Sequence, residues 1–127
     1  MIYRKRNESD LQISVANWFR MQYPRALWTI CPAGIKLPVW IGAKFKAMGY
    51  RQGSHDIIIL EPRGGYHGMT IELKMPGGKA TPEQVDFQRE ASERGYYSVT
   101  CPKFKVEQEC FESSGWISVT SYQILES

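Results

Sequence analysis

A chain of 127 residues with 43% hydrophobic content has the size of one domain and enough apolar side chains for a core without disulfide support. Its net charge of +3 divides unevenly: residues 1–55 carry nine Lys or Arg against two acidic residues, and residues 56–127 carry seven against eleven. No apolar run approaches the roughly 18 residues of a membrane span, and the basic start MIYRKR lacks the hydrophobic stretch of a secretory signal.

From Glu8 to Met21, Leu11, Val15, Trp18 and Phe19 recur at helical spacing, and Pro24 bounds the helix they imply. Ala26 to Cys31 reads as a short strand, after which Pro32, Gly34 and Pro38 mark an irregular connection. Ile41 to Met48 suits a short helix with Ile41, Phe45 and Met48 on one side, Lys44 and Lys46 off that stripe, and Gly49 as its stop. Asp56 to Leu60 is the strongest strand, because four aliphatics without alternation suit the middle of a sheet. A turn at 61–65 leads to a second strand, Met69 to Met75, which pairs with it as an antiparallel hairpin. Thr81-Pro82-Glu83-Gln84 starts a helix: Thr81 caps, Pro82 fits the first turn and Gln84 sits at the capping-box position. That helix runs to about Arg94 and stops at Gly95, and Tyr96 to Thr100 follows as a strand. A weak helix near 106–111 and an ambiguous segment at 116–125 complete one domain over 1–127. Together these elements predict an α/β fold with a central mixed sheet flanked by helices.

Three cysteines, Cys31, Cys101 and Cys110, make an odd set without CxxC spacing. They suggest neither a zinc site nor a disulfide framework, and read as small buried hydrophobes in a reducing, cytoplasmic setting.

One constellation carries chemistry. Asp56 opens the buried strand, Glu72 lies in the next, and Lys74 follows at i+2, which puts Glu72 and Lys74 on one sheet face. Asp56 and Glu72, with the Leu73 carbonyl as a possible backbone ligand, suit Mg²⁺ or Mn²⁺, and Lys74 suits negative charge developing on a phosphate. An ordinary surface Glu–Lys pair has the same spacing. Basic residues that suit phosphate contact are Arg4, Lys5, Arg6, Lys36, Lys44, Lys46, Arg51 and Lys79. Trp40 suits stacking on an exposed base, a place in the core or a dimer interface. No helix-turn-helix or zinc finger is present to read a sequence.

The run from Lys46 to Ile57, KAMGYRQGSHDI, followed by Ile71-Glu72-Leu73-Lys74, resembles the virus-type replication-repair nuclease domain of the PD-(D/E)XK nuclease superfamily. Glu8-Ser-Asp-Leu-Gln12 looks like that family's amino-terminal helix motif, and Thr81-Pro-Glu-Gln84 is similar to its post-core helix motif. The resemblance covers about Glu8 to Tyr97, with the motifs in order. It implies a restriction-endonuclease-like core in which Asp56 and Glu72 are metal ligands, Lys74 is the catalytic lysine and Glu8 is a further acidic group near the metal. By the same resemblance Gln84 helps orient Lys74 or the water, and Gln12 faces the cleft one turn after Glu8. Glu8 can equally serve the helix dipole and Gln84 the capping box. His55 departs from the family, which commonly has proline there; it suits a polar turn better than a phosphate contact.

The implied activity is Mg²⁺-dependent hydrolysis of DNA to 5′-phosphate and 3′-hydroxyl ends. The substrate expected is a four-way (Holliday) junction cut by a homodimer, in a bacterial or phage-infected cytoplasm and with no membrane partner. Flap, nicked or linear DNA as substrate, an inactive DNA-binding module and a phosphatase of small substrates are the alternatives.

Overall fold

The computed structural model describes residues 8–31, 38–75 and 77–102. Helix α1 spans Glu8–Gln22, strand β1 Trp28–Ile30, helix α2 Val39–Ala47, strand β2 Ile57–Ile59, strand β3 Met69–Lys74, helix α3 Pro82–Glu93 and strand β4 Tyr97–Pro102. The four strands form one sheet in the order β1-β2-β3-β4. β1 and β2 pair antiparallel, as do β2 and β3, whereas β3 and β4 are parallel, joined by the α3 crossover. The predicted mixed sheet between helices is therefore the observed fold. The terminal helix and the 116–125 segment anticipated from the sequence lie outside the described residues.

Strand alternation gives the sheet two unlike faces. Met69, Ile71 and Leu73 of β3 point one way and are completely buried, together with Ile57, Ile59 and Cys101 on the neighbouring strands. Leu11, Val15 and Phe19, four residues apart along α1, close over that face. Burying each such large side chain contributes about 1.5–3 kcal/mol, so this layer carries the domain. α1 ends where Pro24 disfavours helical backbone at Tyr23, whose N–H makes the last bond, to the Phe19 carbonyl at 2.8 Å.

The opposite face of β3 and β4 is polar, with Thr70, Glu72, Lys74, Ser98 and Thr100, and α3 covers it with hydrogen bonds from Gln84 and Gln88. α3 has no fully buried residue. That polar face holds the candidate site residues Glu72 and Lys74.

Two sequence expectations change. α2 buries no residue: Ile41 is only half-buried, Phe45 is exposed, and Met48 is 70% exposed, so the anticipated stripe does not enter the core. Apolar residues on α2 are spread around the helix, and periodicity alone does not supply a surface to meet them. Cys101 is disulfide-bonded, while Cys31 is in no disulfide. This corrects the expectation of three unbridged thiols, and the cysteine count no longer argues for a reducing setting. Spacing along the chain cannot show a bond that depends on where two sulfurs meet in space. Among the described residues, no helix is long and apolar enough to cross a membrane.

Candidate active site

Asp56 lies just before β2, where the regular ladder with β3 has ended. Its Oδ2 accepts the Leu73 N–H at 2.7 Å, so the carboxylate replaces the missing strand partner. In an extended strand a residue's N–H and C=O project to the same edge. The Leu73 carbonyl therefore faces the edge at which Asp56 sits.

Glu72 and Lys74 share the polar face of β3, as period two requires. Lys74 Nζ lies 3.5 Å from Glu72 Oε1. The Asp56 and Glu72 side chains are 6% and 3% exposed, which is unusual for carboxylates. Gln84 Nε2 donates to Glu72 Oε1 at 2.7 Å, while Gln84 Oε1 accepts the Thr81 N–H at 2.9 Å. The Thr81 hydroxyl in turn accepts the Gln84 N–H at 3.2 Å, completing a capping box. One glutamine thus caps α3 and restrains Glu72. Its bond goes to Glu72, not to the lysine.

Replacing Gln84 with Ala is expected to lower stability by about 1 kcal/mol through the lost cap and to slow cleavage by roughly 10–100-fold through the loosened carboxylate. Thr81→Ala is expected to lose similar stability but little rate, because its backbone N–H still holds Gln84. Urea unfolding and single-turnover cleavage of both proteins measure the two effects, and equal rate losses would refute the separation.

The segment from α2 to β2 is held from several sides. α2 ends in a Schellman motif, in which Gly49 (φ +112°) lets Tyr50 N–H reach the Phe45 carbonyl at 2.8 Å and Gly49 N–H the Lys46 carbonyl at 3.1 Å. Gly53 (φ +87°) passes the Glu83 backbone so closely that a Cβ would lie 2.4 Å from its carbonyl carbon. Arg51 pairs with Glu90 and lies over the Phe87 ring, clamping this segment to α3.

Sequence reasoning missed three residues here. Tyr50 is half-buried, and burial raises its phenol pKa above the ordinary value, as do the negative charges of Cys31, Glu72 and Asp56. Cys31 follows β1, and its N–H is bonded to the Asp56 carbonyl at 2.8 Å. The signal for Tyr50 was only a lone aromatic after a helix-ending glycine.

The third is His55, which is completely buried rather than set in a turn. A carbonyl only accepts, so His55 Nε2 donates to the Gln84 carbonyl (3.4 Å) and Nδ1 accepts from the Thr70 hydroxyl (3.0 Å). Ser98 bonds Thr70 in turn, and the Phe87 ring lies 4.9 Å from the imidazole. Burial, with a further contribution from the Lys74 charge, lowers its pKa below the ordinary value. The unfolded chain therefore takes up this proton at higher pH than the native protein does. His55's contribution to stability is complete above about pH 6.5 and is lost as pH falls from there through the folded-state pKa. The urea midpoint is expected to drop over that window in the parent protein and to do so less in His55→Gln; parallel curves would refute it.

The other expected site residues are distributed. Glu8 opens α1, and its side chain lies outside the described part of the structure, as do Arg4, Lys5, Arg6 and Lys36. Gln12 lies on α1 with its side chain half-buried. Lys44, Lys46 and Lys79 are exposed, whereas Arg51 is offset by Glu90 and Arg20 rests on the Trp28 ring. The positive excess of the amino half is thus partly used within the fold, and its exposed described lysines lie on α2.

A solved structure described as a "VRR_NUC domain protein" has the same fold, with a TM-score of 0.70 and 28% identity over 87% of this chain and 92% of that one. The chain is related to a VRR_NUC domain protein. That relation supports a nuclease-type fold and a nuclease function. No family model and no curated protein matches the sequence.

Among the described residues no three acidic, His or Cys side chains cluster as a metal site. The available set is two buried carboxylates, Asp56 and Glu72, beside the Leu73 carbonyl. Mg²⁺ fits such a set, since it keeps several waters and is commonly held by one or two carboxylates plus substrate phosphates.

Proposed function

We propose that this chain is a metal-dependent nuclease that hydrolyses DNA phosphodiester bonds, resolving four-way junctions as a homodimer. The observation that carries the reading is the buried Asp56–Glu72 pair with Lys74 Nζ 3.5 Å from Glu72. Ordinary surface Glu–Lys pairs are not built this way, with one carboxylate bonded to a peptide N–H and the other to a capping glutamine.

Asp56 and Glu72, with the Leu73 carbonyl and Glu8 as further donors, are the residues that would hold Mg²⁺ or Mn²⁺. When bound, such an ion polarises a phosphoryl oxygen and acidifies water. Gln84 keeps the Glu72 carboxylate from turning away. Lys74 presents positive charge where the attacked phosphate gains negative charge, and its partly buried setting strengthens that interaction. Lys44, Lys46 and Lys79 would meet the DNA backbone in a salt-dependent way.

The test is a panel of end-labelled four-way junction, flap, nicked and linear DNA, incubated with Mg²⁺, Mn²⁺ or EDTA, beside a solution mass measurement. Paired cuts near the junction centre by a dimer are expected with either ion. Cutting of another substrate in preference would replace the junction assignment. Tight binding without cleavage under any condition would make the chain a DNA-binding module.

A further inference from the structure

The outward face of α2 is a surface that packing does not explain. Trp40, Ala43, Lys44 and Ala47, at i, i+3, i+4 and i+7, are all exposed, Trp40 at 71%; they share one side of the helix. Half-buried Ile41, with Phe45 at 37% exposure, marks the opposite side as the one turned to the body. Trp40 therefore has no place in the core, and the alanines beside it are too small to cover its ring.

Charge decides what fits this face. α2 has no acidic residue in its first turn, and Lys44 and Lys46 stand in its last; the rest of the helix is uncharged. Lysine is depleted at the centres of protein–protein interfaces, and a self-complementary interface here would gather like charges. A nucleic acid meets neither objection, since bases stack on an indole while ammonium groups meet phosphates. Intact duplex has no free base face to offer; a branch point does.

The helix also leads to the carboxylates. Its Schellman end, at Gly49 and Tyr50, leads through residues 51–55 directly to Asp56. Roughly 12 Å of helix separate Trp40 from that end, so a strand lying along α2 approaches the centre within a few nucleotides.

We propose that this face is a base-stacking site, in which Trp40 receives an unstacked base of the DNA and Lys44 the adjoining phosphate. The proposal rests on the DNA reading above for the identity of the polymer, and it explains how a branched substrate is preferred to plain duplex.

The test is a duplex carrying one unpaired 2-aminopurine, titrated with the full chain in EDTA so that nothing is cut. Binding quenches the probe, and Trp40→Ala weakens affinity about 5- to 150-fold, the equivalent of a stack worth ~1–3 kcal/mol. Trp40→Phe restores most of it, and affinity for the fully paired duplex changes less than twofold. Unchanged affinity of Trp40→Ala for the unpaired probe overturns the proposal. Equal losses on both duplexes, with a dimer becoming a monomer in sedimentation, also overturn it and assign the face to a second copy. The two readings fail separately: a chain that never cuts DNA but shows Trp40-dependent quenching keeps this proposal, and one that cuts junctions with Trp40 freely replaceable keeps only the nuclease.

Discussion

Glu72→Gln and Asp56→Asn are each expected to reduce Mg²⁺-dependent cleavage by roughly a thousandfold or more, which corresponds to about 4 kcal/mol of transition-state stabilisation. These amides separate chemistry from folding better than alanine does. Asn can still accept the Leu73 N–H, and Gln can still accept from Gln84, so each keeps the bond its carboxylate makes. Alanine at position 56 would strand the Leu73 N–H and confuse the two effects. Each amide also removes one of two buried negative charges, so the metal-free variants should melt no lower than the parent protein. Adding Mg²⁺ should raise the parent's Tm, because an ion that binds only the native state stabilises it by mass action, and should raise the variants' little. Cleavage within tenfold of the parent, or an undiminished Mg²⁺ shift, would defeat the assignment of these carboxylates.

Lys74→Met is expected to slow the chemical step by about 10²- to 10³-fold, the usual effect of removing one preorganised electrostatic contact. Its effect on stability should have the opposite sign. Without the ammonium, the nearly dry Glu72 carboxylate loses a compensating charge, so the metal-free protein should become less stable. Mg²⁺ should then restore more stability to this variant than to the parent, since the ligands remain. Lower activity with undiminished apo-stability at Glu72, against lower activity with lower apo-stability at Lys74, is a pattern that general misfolding does not produce. Single-turnover rates and melting curves with and without Mg²⁺ supply both readouts, and a Lys74→Met protein that turns over normally would end the proposed role.

Much of the architecture was legible because it is written in local rules. The start of α3 follows from Thr81, Pro82 and Gln84, whose capping bonds span three residues. The central position of β2 follows from an unbroken aliphatic run, and the shared face of Glu72 and Lys74 follows from strand period alone. The residues around them were less legible. His55 looked like turn material because Thr70 and Ser98, which bury it, lie 15 and 43 residues away. Arg51 looked like a free cation because Glu90 is 39 residues distant. Gln84 was an evident cap, but that its free amide would meet Glu72 depended on how the α3 crossover docks on the polar face.

Sequence alone therefore determined which segments are helix or strand and which face of β3 Glu72 and Lys74 share, since propensity, capping and alternation act over a few residues. Tertiary structure decided the state of those residues: that two carboxylates are nearly dry, that a glutamine restrains one of them, that Trp40 faces outward and that Cys101 is bonded. Burial and charge pairing are properties of neighbours distant in the chain, and only the packed sheet brings those neighbours together.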